Sequence, residues 1–386
     1  MKKTLLAAAL LAGFATAGVA QAETSVTLYG ILDTGYGYQN FKYDHTDRNG
    51  VAHDLRARSS GLRDGTFNGS RWGLKGAEDL GDGLRAIFQL EASISLANGT
   101  GGTFARQSFV GLSSDNWGTF TMGRQYSAGV DTNLAANGVN LGDMDKVFGS
   151  TGLGEGSRVE NSFKYVTPDL SGFKFIALYG TGNDGTTSVI RNGDTSLGDR
   201  GSRVSVGALY ANGPIGVGAS YDRQSLTSRY NGAAVAGEPD AMTAWQINGS
   251  YDFEVVKLSL AYGQDRNGKI AWNGDAGSYD GLDSIKAATL LSNGYDDFKS
   301  NNYHVGLSAP LAGGTLYAGW NYSTSNLDDS SKWGDDAGNI STYQVNYLYP
   351  LSKRTSVYAY GSYAKNVGYV KDLKGTEAGI GLNHKF

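Results

Sequence analysis

The stretch WQINGSYDFEVVKLSLAY (245–262) holds two alternating runs separated by one short break. Trp245, Ile247, Gly249, Tyr251 and Phe253 fall on one side of an extended chain, and Gln246, Asn248, Ser250 and Asp252 on the other. A period of two marks a strand with unlike faces. After the break at Phe253–Val255 the pattern resumes, with Lys257 and Ser259 on the polar side of VKLSLAY (256–262). LRAIFQLEA (84–92) repeats it, setting Leu84, Ala86, Phe88, Leu90 and Ala92 against Arg85, Ile87, Gln89 and Glu91.

Working outward, the connections decide the topology. Short breaks fall near 76–83, 113–118, 167–172, 211–214, 253–255, 309–314 and 350–354. Longer polar stretches lie between them at 40–69, 94–103, 125–157, 180–202, 223–241, 263–301, 323–339 and 364–375. Short and long connections that alternate describe an up-and-down meander with every short turn at one end. Seven turns and eight loops predict sixteen strands. A closed barrel of that size is too wide for side chains to fill. Its polar face must line water, and its apolar face must meet something apolar outside. The expectation is an all-β, transmembrane, antiparallel β-barrel, closed so that no backbone group meets lipid unpaired.

Composition agrees. The chain has 57 glycines, 24 tyrosines and no cysteine, and only 40% hydrophobic residues, which suits an apolar surface spread thin over many strands. Tyr179, Tyr210, Tyr221, Tyr262, Tyr322 and Tyr349 stand near strand ends, where interfacial aromatic girdles belong. After the N-terminal region, no run of about 18 apolar residues offers a membrane helix. Lys2 and Lys3, the apolar run Leu5–Val19 and Ala20-Gln21-Ala22 read as a signal peptide over 1–22, leaving a barrel over 23–386. The net charge of −4 gives no support to nucleic-acid binding.

Motifs add a family. SVTLYGILDTGYGY (25–38), SRWGLKGAEDLGDGLRAIFQLEASISL (70–96), RQSFVGLSSDNWGTFTMGRQYS (106–127) and GIGLNHKF (379–386) occur in the order found in Gram-negative general porins. The chain resembles that family, and most of all its β-proteobacterial and neisserial form. The middle of the chain, 180–340, shares only the alternation. The resemblance implies an outer-membrane, water-filled channel for passive diffusion of ions and small hydrophilic solutes. It also implies short periplasmic turns, long extracellular loops and a third loop folded into the lumen. Expected partners are two further copies in a homotrimer, outer-membrane lipid and lipopolysaccharide, and the barrel-assembly machinery. No cofactor is expected.

The same resemblance assigns roles to residues. A basic wall of Arg71, Lys75, Arg85, Arg106 and Arg158, with Lys164 beside it, is expected at the constriction. The third loop is expected to oppose it with Asp143 and Asp145, and less strongly with Asp131 and Glu155. Facing charges of this kind set a transverse field across a narrow aqueous path. Glu91 and Glu160 are expected on the lumen face among the bases. Alternation places Arg124 on the outer face, either at the membrane edge or at the subunit interface. Gly30, Gly76 and Gly111 are read as small outward residues suited to close subunit contact. Ile380, Leu382, His384 and Phe386 share one face of the last strand, and Phe386 resembles the assembly signal of these porins.

Other functions find less support. The four histidines are His45, His53, His304 and His384, and no nucleophile or zinc motif accompanies them, so an enzyme is not expected. His45 and His53, with Asp44, Asp47 and Asp54, lie in a polar loop and read as solvated rather than metal-bound. The alternatives are a substrate-specific channel or a barrel acting as adhesin or anchor. For the former, the inward Tyr29, Tyr317 and Tyr358 look too scattered to form an aromatic slide.

Overall fold

The computed structural model describes residues 25–47, 49–136, 158–191, 194–226, 229–230, 233–234, 241–268, 297–327 and 336–386. The first third contains β1 (Ser25–Thr46), β2 (Ala52–Asp64), β3 (Arg71–Gly81), β4 (Leu84–Ser93), β5 (Gln107–Ser114), β6 (Gly118–Tyr126) and helix α1 (Ala128–Ala136). Then come β7 (Arg158–Val166), β8 (Phe173–Gly180), β9 (Asn183–Arg191), β10 (Asp194–Asn212), β11 (Ile215–Leu226), β12 (Arg229–Tyr230) and β13 (Ala233–Ala234). The last third holds β14 (Met242–Asp252), β15 (Lys257–Arg266), β16 (Lys299–Leu311), β17 (Gly314–Ser325), β18 (Ile340–Pro350), β19 (Thr355–Lys365) and β20 (Leu373–Lys385).

Sixteen of these close a ring: β1, β3 to β8, β10, β11 and β14 to β20. Every neighbouring pair is antiparallel, and β20 returns to β1 in the register Ile31↔Lys385 to Tyr43↔Leu373. Gly30 and Phe386 complete the seam by exchanging backbone hydrogen bonds of 3.0 and 3.1 Å. The ring is inside-out. Ile247 and Leu260, on the outer face, are each 50% exposed, whereas the inward Asn248 and Ser259 are 3% and 0% exposed. An apolar exterior of this kind needs lipid around it.

Two expected loops are partly strand. β1 runs on to Thr46 and pairs with β2, and β9 pairs with the start of β10. In β1 the outward positions change from Tyr36 and Tyr38 to Asn40, Lys42 and Asp44, so this hairpin stands above the lipid band. Its apolar side, Phe41 and Tyr43, turns inward onto Ala364, Val367 and Leu373, so the alternation is the reverse of the one that marks the barrel wall.

Between β2 and β3, residues 65–70 turn into the barrel and are clamped by Asp33. Its carboxylate accepts from Tyr358 Oη and Asn383 Nδ2, both at 2.8 Å, and from the backbone N–H of Phe67 and of Asn68. Phe67 then packs with Tyr358 and Tyr360. A buried carboxylate is tolerated only when its lone pairs are used in this way.

Candidate functional site

The third loop does turn inward over its described part. From Tyr126 the chain leaves the wall, and α1 lies against the inner faces of β10, β11 and β14. Ser205 Oγ accepts from the Ala128 N–H at 2.8 Å, and Gln246 Nε2 donates to Gly129 O at 2.7 Å. On the way the helix presents Asp131 to the wall, where it forms an ion pair with Lys164. Lys164 Nζ also donates to Tyr126 O at 3.1 Å, tying the loop's point of departure to β7. Burial raises the Asp131 carboxyl above the ordinary carboxylate range, and Lys164 pulls it part of the way back.

A second cluster joins the expected bases. Arg106 Nε donates to Glu91 Oε1 at 2.7 Å, and Tyr29 Oη donates to Glu91 Oε2 at 3.0 Å. The Tyr126 hydroxyl accepts from both Arg106 and Arg158, at 3.3 and 3.1 Å. Lys75 Nζ stands 5.5 Å from the Tyr29 ring centroid, and register places Arg71 beside Ile31 and Ser93. Arg71, Lys75, Arg106, Arg158 and Lys164 thus gather around Glu91, Tyr29, Tyr126 and the root of the third loop. Neither tyrosine was assigned a site role from sequence. TMGRQYS gives no sign that Tyr126 marks the departure of the loop, and alternation shows Tyr29 only as one of three scattered inward tyrosines.

Three positions differ from expectation. Arg85 faces inward but sits beside the turn at 115–117, paired with Asp115. It lies six residues from Glu91, about 20 Å along an extended chain. Alternation gives a side chain's face and not its height, so Arg85 belongs to the short-turn rim and not to the cluster. Glu160 is outside the lumen set: it pairs with Arg124, whose Nε also donates to Ala105 O at 2.6 Å. A bulge explains the slip, with Asn161 at φ 47° and the β6–β7 register shifting between Gly123 and Gln125. Arg124 is outward as expected, and its partner comes from the adjacent strand. Gly111 pairs with Ile87 and Thr121 and therefore faces inward. Asp143, Asp145, Glu155 and the segment 1–22 lie outside the described residues.

His45 is neither solvated nor alone. Its Nδ1 lies 3.0 Å from Asp372 and its Nε2 3.1 Å from Asp336, joining the top of β1 to the chain ahead of β18 and of β20. Burial alone would lower this imidazole, but the hydrogen bonds and charges of Asp336 and Asp372 outweigh it and raise the group above the ordinary range.

Comparison with known proteins places this geometry. The Gram-negative porin profile matches residues 7–369. An outer membrane porin protein of Bordetella pertussis is 41% identical over 100% of both chains. Outer membrane porin protein 32 of Delftia acidovorans is 30% identical, covering 95% of this chain and 90% of its own. Among solved structures, the anion-selective porin from Comamonas acidovorans superposes with a TM-score of 0.64 at 24% identity, over 94% of this chain and 100% of that one. An inside-out sixteen-stranded barrel, a third loop turned into its lumen and these relatives lead to one conclusion: the chain belongs to the Gram-negative porin family and is an outer-membrane diffusion channel, not an enzyme.

Proposed function

We propose that the cluster around Glu91, Tyr126 and Asp131 is the selectivity-setting constriction of this porin, and that it gives a weak preference for anions. The observation that carries the reading is the Lys164–Asp131 pair, in which an acid of the inward loop meets a base of the wall. Arg71, Lys75, Arg106, Arg158 and Lys164 outnumber Glu91 and Asp131 there. Fixed positive charge along a narrow path raises the local anion concentration. Asp143, Asp145 and Glu155 of the same loop are the acids that would oppose it. Arg85, at the rim, modulates entry only. Reversal potentials under a salt gradient test the reading: zero-current voltages of anion-preferring sign at low salt support it, and clear cation selectivity overturns it.

Porins of this family typically form trimers, and we assign this chain to a homotrimer of separate pores. The outer face of β1 and β3 to β6 supports this, because Val26, Leu28, Val110, Leu112 and Met122 stand exposed there as one apolar surface, while the rings of Phe386 and Phe88 cover Gly30 and Gly76. The Arg124–Glu160 pair lies at its loop-side edge. Residues 1–22 act as the export signal of the barrel at 23–386. Phe386 serves as the assembly signal, and its backbone pairing with Gly30 at the closing seam supports that role.

A further inference from the structure

On the outer face, each of four strands around the closing seam ends its outward run on a cation. Outward positions pass through Tyr36, Tyr38 and Asn40 to Lys42 on β1, and through Ile380, Ala378 and Thr376 to Lys374 on β20. They pass through Gly361 and Tyr363 to Lys365 on β19, and through Leu62, Ser60 and Arg58 to Arg56 on β2. Register sets Lys365, Lys374, Lys42 and Arg56 directly opposite one another, in one row across the four strands. Lys365, Lys374 and Arg56 are exposed, and the Lys42 side chain keeps 42% of its surface. Beyond Lys365 the same row continues through Ser341 into the outward rings of Tyr322, Tyr303 and Tyr262. Like charges opposite one another in a ladder repel. Lys42 lies 3.5 Å from Asp44 and Arg56 3.8 Å from Asp54, each carboxylate two residues farther from the lipid band. Among the described residues, Lys365 and Lys374 have no carboxylate within ion-pair distance.

We infer that this row is a binding site for the phosphate groups of lipid headgroups in the outer leaflet. Its height fits them. Tyr363, an outward ring of the kind found at the membrane interface, stands two residues below Lys365, about 7 Å along the strand. Cations at that level are attracted to anionic headgroups, and a multiply charged phosphate relieves the repulsion within the row. An ammonium meets phosphate as a point charge, while Arg56 and the exposed Arg58 below it can fork onto two oxygens. The apolar surface assigned to subunit contact runs from β1 over β3 to β6, away from β19 and β20, which leaves lipid as the neighbour of Lys365 and Lys374. The family resemblance implies lipopolysaccharide around the barrel, and the register supplies the residues that meet its phosphates. The inference rests on the barrel sitting in the outer membrane and is independent of the constriction and its ion preference.

The test titrates the purified full-length porin in detergent with bis-phosphorylated lipid A, free of divalent cations, and counts bound lipid by native mass measurement. Lipid A stripped of both phosphates is the control. The expected result is saturable retention of the phosphorylated lipid, with the control held about tenfold less tightly or worse. Lys365→Gln and Lys374→Gln together should raise the half-saturating concentration about tenfold or more, as the loss of two cations beside an anionic headgroup warrants. Lys365→Arg with Lys374→Arg should keep it near the wild type. Lys353→Gln, in the short turn at the opposite end of the barrel, should leave it unchanged. Heat-modifiable mobility shows which variants fold, and the contrast between the two lipids in the wild type needs no variant. Equal retention of both lipids overturns the inference, as does a folded glutamine pair that binds like the wild type. Displacement of lipid A by micromolar inorganic phosphate overturns it in favour of a soluble anion. A glutamine pair that weakens the proposed trimer in lipid-free protein overturns it in favour of contact between copies. Reversal potentials read ion preference separately, so failure here leaves the constriction as proposed.

Discussion

The flank formed by β3 to β7 and the flank formed by β14 to β19 follow one backbone plan and differ on both faces. Outside, β14 to β17 carry a chain of rings, Trp245, Tyr262, Tyr303 and Tyr322, with successive centroids 5.3, 5.0 and 6.1 Å apart. Such rings suit the interface of lipid and water. The other flank mixes the aliphatic Leu90, Val110, Leu112 and Met122 with the isolated ring pairs Trp72–Phe104 and Phe120–Phe163, and among the described residues no chain of rings runs across its strands. Inside, β3 to β7 present arginines and lysines, whereas β17 to β19 present amides and hydroxyls. Alternation alone makes the barrel. Which polar and which apolar residue is used decides what each flank meets.

Breaking the seam between the flanks should have the largest effect. Phe386→Asp removes the ring that overlies Gly30 and places a charge near the membrane interface. Export should continue while folded barrel in the outer membrane falls severely, as read by heat-modifiable mobility in membrane fractions. Normal levels would remove the assembly role of Phe386.

Arg124→Glu sharpens the contrast outside. It sets two acids together where Arg124 and Glu160 now pair, at the edge of the apolar surface. The proposed trimer should dissociate at lower detergent or temperature than that of the wild type, while the barrel itself persists. Native mass measurement reads this directly, and a wild-type monomer would contradict the assignment.

The smallest effect is a pH dependence above the lipid. The folded state raises the His45 group through Asp336 and Asp372, so the protonated imidazole stabilises this loop clamp. That contribution is complete below the unfolded histidine range, near 6.5, and is lost as pH rises through the higher folded value. Hydrogen exchange around 366–372 should therefore quicken, beyond its intrinsic base catalysis, from about pH 6 to 9, a range that brackets ordinary histidine titration. In His45→Gln that excess should vanish.

Much of the barrel was legible because lipid and water impose opposite demands on the two faces, so WQINGSYDF and LRAIFQLEA state their orientation outright. All seven short turns and the polarity of the meander follow from that. The β1–β2 hairpin above Tyr38 was not legible, because its apolar residues, Phe41 and Tyr43, face inward to a local core and its polar ones, Asn40 and Lys42, face outward, the reverse of the barrel wall. Within the site, Arg71, Lys75 and Arg106 could be given a face, but the height of Arg85 needed the register. Glu160 was misplaced because one extra residue at Asn161 reverses the alternation beyond it. Tyr317 and Tyr360 fall in one row on either side of Asn346 through a register that nothing local to either residue announces.

The account turns on the charged flank setting ion preference, and the reversal potential of single channels across a salt gradient tests it most directly. The wild type should prefer anions weakly at ~0.1 M salt and lose the preference towards ~1 M, as the screening length falls from ~10 to ~3 Å. Arg71→Ala and Arg106→Ala should each move the ratio towards cations, and Arg124→Ala, on the outer face, should leave it unchanged. A cation-selective wild type, or a ratio indifferent to both lumen arginines, would contradict the account.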